Sequence, residues 1–273
     1  MNATVLKTVL VFLTFLGYSS AFGQQAIELK LVKTIPVSNG FFTADRLGNI
    51  YWTENDRLIK YEIETGKSSF FSNPGFGKIH FIDATDPLNI LVFHGDFKQV
   101  FWLDKNLIQK DLPAFPESLQ MTPPELVCFS GMGGFWAYLP QISLLKRFNN
   151  AFSTQAQSLP LFEIIPGFNN PVFMAEAHGH LYVSQPDMGI AAFDAFGNLL
   201  FFSEKTGIDR FQVEGNRMLY FTSKELIIFD FFLQKETLFL LPVTEIKAGL
   251  VLGRRIYIQT EKQISVYEAA ARL

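Results

Sequence analysis

Four acidic residues recur at equivalent places along this chain. Asp45, Glu176 and Glu214 stand six residues before Tyr51, Tyr182 and Tyr220, and Asp83 stands eight before Leu91. Carboxylates repeated at one structural position can ring an axis and hold Ca²⁺, a hard cation that takes roughly six to eight oxygen ligands. Such a ring would serve a metal-dependent hydrolase or lyase. The competing reading is local, because Asp at a tight turn accepts hydrogen bonds from its own backbone. Ser130 and Val251 hold the same position before Trp136 and Tyr257, and they interrupt the ring.

The other chemistry-bearing residues are sparse. His178-Gly179-His180 could seed a metal site, but no third ligand is evident and the glycine marks an exposed turn. Cys128, the single cysteine, lies in the apolar run Leu126–Phe129 and reads as a small buried hydrophobe. Zincin, serine-hydrolase elbow and Walker sequences are absent. Phenylalanine is abundant, 30 of 273 residues. Most fall on apolar strands, but Phe76, Phe97, Phe115 and Phe168 fall in Pro- and Gly-containing loops. Gathered on one face, they would make a binding patch; each could equally fold back over its own strands.

The elements that must position these residues form a repeat. Each unit has an apolar strand, a Gly or polar turn, a strand with an aromatic anchor, a polar loop and a third strand. The anchors Tyr51, Leu91, Trp136, Tyr182, Tyr220 and Tyr257 are spaced by 40, 45, 46, 38 and 37 residues. That is about the length of a four-stranded propeller blade. Apolar alternation in Arg57–Ile63 and Gln263–Tyr267 has the period of strands. Runs ending in Pro supply a fourth, outer strand at Ile108–Pro113, Phe162–Pro166 and Thr237–Pro242. The sixth unit has no such run, whereas Ala26–Pro36 precedes the first. The expected fold is therefore all-β, a six-bladed β-propeller of four-stranded antiparallel blades, with the N-terminal strand closing the last blade.

The stretch Asp45-Arg46-Leu47-Gly48-Asn49-Ile50-Tyr51 resembles the repeat of NHL-type six-bladed propellers, and Tyr51-Trp52-Thr53-Glu54 resembles the YWTD signature. Only the first unit matches well. The resemblance implies the fold and carries no activity, since such propellers include binding modules and enzymes.

Composition and termini set the remaining expectations. With 48% hydrophobic and 18% charged residues and a net charge of −3, the chain is neither disordered nor suited to nucleic acid. Residues 1–23 read as a signal peptide, with Lys7, the apolar run Thr8–Tyr18, and Ala21 and Gly23 ahead of a cleavage site. That leaves 24–273 as one propeller domain, exported to the periplasm or beyond, as in a Gram-negative bacterium, with no later membrane span. With no catalytic signature, the expected function is a non-enzymatic interaction module, monomeric alone, that serves an envelope protein partner without a cofactor. The alternatives are a hydrolase or lyase at the central channel, with Ca²⁺ on Asp45, Asp83, Glu176 and Glu214, or a propeller binding a small ligand or glycan.

Overall fold

The computed structural model describes residues 24–25, 27–38, 40–110 and 116–272. The expected signal peptide and Phe115 lie outside them. Six sheets follow one another along the chain. Blade 1 comprises Phe42–Ala44, Ile50–Glu54, Arg57–Tyr61 and Ser68–Ser72. Blade 2 comprises Ile79–Asp83, Ile90–His94 and Gln99–Leu103, with a single bridge from Leu103 to Gln109 where a fourth strand is expected. Blade 3 is Leu126–Phe129, Phe135–Leu139, Leu144–Phe148 and Thr154–Gln157. Blade 4 is Phe173–Ala177, His180–Gln185, Gly189–Phe193 and Leu199–Ser203.

Blade 5 comprises Gln212–Glu214, Arg217–Phe221, Glu225–Asp230 and Lys235–Leu240, and Gln24–Gln25 adds a short parallel strand to its outer edge. Blade 6 comprises Ala248–Leu252, Arg255–Gln259 and Gln263–Ala269. Its outer strand is Leu29–Pro36, paired antiparallel to Gln263–Ala269. The N-terminal segment thus closes the ring, so the last blade is not left with an open edge.

Burial explains the strand patterns. The second strand of a blade is covered on both faces by its neighbours, and Phe135–Leu139 accordingly has five buried side chains in a row. The six anchors are all buried on these strands. Apolar side chains gather into six clusters, one at each seam between adjacent blades. The seam between blades 6 and 1 includes Phe42, Trp52, Tyr257 and Ile264, so closure is a packed interface and not only a strand pairing. Outer strands are covered less: Ser68–Ser72 leaves Phe70 62% exposed.

Blade 3 corrects the sequence reading of its outer strand. Phe162–Pro166 is not a strand; Leu161–Ile164 is a helical turn that begins after Pro160. Leu161, Ile164, Ile165 and Phe168 have helical spacing and pack into the seam between blades 3 and 4. The outer strand is the polar Thr154–Gln157, which reads as a loop because three of its four residues face solvent.

One glycine illustrates how tightly the hairpins pack. Gly134 has φ +82°, and a Cβ there would lie 1.9 Å from the Phe148 carbonyl oxygen. Only a residue without a side chain fits this turn.

Candidate functional site

The inner strands of the blades surround an axial channel with a cavity at each mouth. At the end where first strands turn into second strands, the cavity holds about 690 Å³ and includes Asp83, Glu176 and His178 on its wall. At the opposite end, a cavity of about 480 Å³ includes His80, Lys98 and Glu125. Phe41, Phe81, Phe173, Met174 and Arg210 belong to both walls and form the waist between them.

The four repeated carboxylates do not converge. Asp45 is fully buried and caps its own turn, accepting from Leu47 N at 2.9 Å, Asn49 N at 3.0 Å, Asn49 Nδ2 at 2.8 Å and the Tyr51 hydroxyl at 2.8 Å. Burial, with the Asp45 charge next, pushes the Tyr51 hydroxyl far up, so it remains a donor. Glu214 pairs with Arg272 and, at 3.8 Å, with Arg217. Neither Asp45 nor Glu214 is among the residues lining the cavity.

Asp83 and Glu176 do line it, on either side of the blade 3 strand. Asp83 accepts from Thr85 N through Oδ1 and from Phe129 N through Oδ2, both at 3.0 Å. Glu176 accepts from Gly131 N at 2.8 Å through Oε1 and from Trp136 Nε1 at 2.7 Å through Oε2. Each carboxylate therefore latches its blade to blade 3, and each oxygen, with two lone pairs, keeps one beyond these bonds. Among the described residues no three His, Cys, Asp or Glu side chains gather, so the donor set does not fit Ca²⁺.

His178 and His180 are exposed and serve different neighbours. His178 Nε2 accepts from Gly215 N at 3.1 Å, and the His180 ring lies 6.5 Å from that of Tyr182. Because Nε2 accepts, the neutral His178 ring carries its proton on Nδ1. Cys128 is fully buried, and burial raises its thiol well above the ordinary range.

The loop phenylalanines do not form one patch. Phe168 is fully buried in the seam between blades 3 and 4, its ring 5.9 Å from that of Phe202, so it offers no surface to a partner. Phe76 is half-buried on blade 2, 4.8 Å from the Phe101 ring. Phe97 is exposed.

The waist was not anticipated from residue types. Phe41 and Phe81 meet at 4.9 Å, and Phe81 and Phe173 at 6.2 Å. The Arg210 guanidinium lies 4.3 Å from the Phe41 ring centroid and 5.8 Å from that of Phe173. Its Nη2 donates to the Phe42 carbonyl at 3.1 Å. No carboxylate among the described residues forms an ion pair with it. Burial draws its pKa down to about 10, which leaves it cationic at neutral pH. A sequence signal for this group does exist: Phe41, Phe81 and Arg210 each stand ten residues before the anchors Tyr51, Leu91 and Tyr220.

No protein-family model matches this chain, and no curated protein matches it. Solved propellers are similar to it in fold. Virginiamycin B lyase from Staphylococcus aureus is 11% identical, with a TM-score of 0.57 over 83% of this chain and 79% of that one. A gluconolactonase from Xanthomonas campestris is 12% identical, with a TM-score of 0.58 over 85% and 87%. A chain in the mitotic checkpoint complex is 7% identical, with a TM-score of 0.65 over 97% and 99%.

These likenesses correct the functional expectation. The non-enzymatic accessory module rested on the lack of a catalytic signature in the sequence. Lyases and gluconolactonases among the similar structures fit the hydrolase-or-lyase reading better. Among the described residues no helix is long and apolar enough to cross a membrane.

Proposed function

We propose that this chain is a hydrolase or lyase that works in the axial channel and cleaves a carbon–oxygen bond beside a carbonyl, as in a small ester or lactone. One observation carries the reading. Asp83 and Glu176 come from two blades to the wall of one cavity, flank Phe129–Gly131, and are each fixed by two donors. Fixed carboxylates with free lone pairs are suited to taking a proton from water or from a carbon next to a carbonyl. Both chemistries begin this way, and the enzymatic propellers of similar fold support the class.

The apolar share of the wall limits the substrate to a small and mostly apolar molecule. The signal-peptide pattern of residues 1–23 supports export, which finding Gln24 as the N-terminus of the secreted protein would check.

The test is proton release from a panel of γ- and δ-lactones and aryl esters. Glu176→Gln and Asp83→Asn are expected to lower turnover, one of them by about 10²–10⁴-fold. A protein inert on the whole panel, or one indifferent to both substitutions, overturns the reading.

A further inference from the structure

We infer that Arg210 is the anchor for an organic carboxylate with an aromatic or alkyl body, bound at the waist of the channel. This names the substrate class for the channel enzyme proposed above, and rests on that reading for the word substrate.

Arg210 is half-buried at the waist, and a cation partly withdrawn from water is usually compensated by a nearby carboxylate. Arg210 has none among the described residues. It has instead one carbonyl, Phe42 O, and the faces of Phe41 and Phe173. A guanidinium carries five N–H donors in a planar fork. A single acceptor among the described residues leaves the fork largely unused, and the group lines both cavities. The Phe42 carbonyl and the two rings fix it where it lines both cavities, so it is preorganised for a partner in the channel.

The surroundings choose among anions. A carboxylate matches the fork with two parallel hydrogen bonds. A phosphate matches it too, but it is doubly charged near neutral pH and strongly hydrated, and it would have to shed water among Phe41, Phe81 and Phe173. A carboxylate with an apolar body gives those rings something to pack against while its head meets the cation. Asp83 and Glu176 do not act as internal counter-ions, since neither forms an ion pair with Arg210. They sit on the wall of the larger cavity, where the body of the ligand would extend.

Calorimetric titration of the protein beginning at Gln24 tests this, with benzoate, phenylacetate and 3-phenylpropionate as probes. Their amides and inorganic phosphate serve as comparisons. At least one acid is expected to bind one per chain, about ten- to a hundredfold tighter than its amide. Arg210→Gln is expected to remove that preference. Equal affinity for acid and amide overturns the inference, as does binding of none of the acids or tighter binding of phosphate. If Arg210→Gln does not fold, the acid–amide comparison on the unaltered protein decides alone. Acid-selective binding without turnover of any lactone or ester keeps the anion site and removes the enzyme; turnover with equal affinity for acid and amide does the reverse.

Discussion

Asp45 separates a turn cap from a metal ligand, and its removal has a size that follows from the contacts. The carboxylate is fully buried and accepts from four donors, all within 2.8–3.0 Å. Asp45→Ala leaves the Tyr51 hydroxyl, on a fully buried side chain, without its acceptor. An orphaned buried donor costs about 1–3 kcal/mol. The Leu47 amide belongs to an exposed residue and can turn to water, while the amide and side chain of half-buried Asn49 do so less completely. Loss of a cap adds about 1–2 kcal/mol. The sum is about 2–5 kcal/mol, or a Tm lower by roughly 4–20 °C for a domain of this size. Asp45→Asn keeps one carbonyl oxygen and is expected to cost less than half as much. Thermal unfolding followed by near-UV circular dichroism, with and without EDTA, reads both effects. A Tm of Asp45→Ala within about 2 °C of the parent refutes the capping argument. A parent Tm that falls with EDTA, in a way that Asp45→Ala abolishes, refutes it as well.

Three other substitutions probe the frame around the channel. His94 is buried, donates through Nδ1 to the Gly77 carbonyl at 2.9 Å, and has an unpartnered Nε2. Burial lowers its pKa below 6.5, so the unfolded chain binds the proton first and stability is lost as pH falls below about 6.5. His94→Gln is expected to flatten the urea-unfolding free energy between pH 6.5 and 5 by up to about 1.4 kcal/mol per pH unit; equal slopes would exclude this role. Gly134→Ala is expected to cost more than about 2 kcal/mol because its Cβ meets the Phe148 carbonyl, whereas Gly133→Ala, with open space but φ +90°, costs about 1 kcal/mol. Equal urea midpoints for the two would contradict the packing described for that hairpin. Deleting residues 24–36 strips the outer strand from blade 6 and removes Ile35 from its seam with blade 1. The expected product has no cooperative melting transition, and an unchanged Tm would show that the ring does not need this closure.

The fold was readable because propeller blades repeat their constraints. In five of the six units a buried aromatic anchor follows a turn glycine, and in the second the buried Leu91 follows a polar turn. Tyr51, Trp136 and Tyr257 therefore signalled six strands of one kind with no knowledge of their partners. The outer strand of blade 3 was hidden for the same physical reason. An edge strand is selected for pairing and solvation and not for apolar pattern, so Thr154–Gln157 looks like a loop. Leu161–Phe168 looks like a strand because its apolar residues are dense, although their spacing is helical.

The site was less readable because a carboxylate's role depends on which donors reach it from the next blade. Asp45 and Glu176 share a repeat position six residues before an anchor. Asp45 receives donors from its own turn, whereas Glu176 receives two from blade 3, separated from it by 45 and 40 residues. No local pattern distinguishes the two. Phe168 shows the same limit, since a loop aromatic becomes core once the helical turn at Leu161–Ile164 folds it into the seam.

The polar groups at the axis divide by whether their bonding capacity is used up. Gln212 joins blades 5 and 6 through both ends of its amide, accepting from Val251 N at 2.7 Å and donating to Val251 O at 3.2 Å. Its amide is engaged on both sides, and it acts as a latch. Asp83 and Glu176 latch as well, but carboxylate oxygens have capacity beyond one donor each. Arg210 lies at the far end of this series: it touches blade 1 through one hydrogen bond and faces both cavities with the rest of its fork. If the ring required only a latch there, a neutral donor would serve without the cost of an unpaired charge. The cation at the waist is therefore explained by what enters the channel, and not by what holds the blades together.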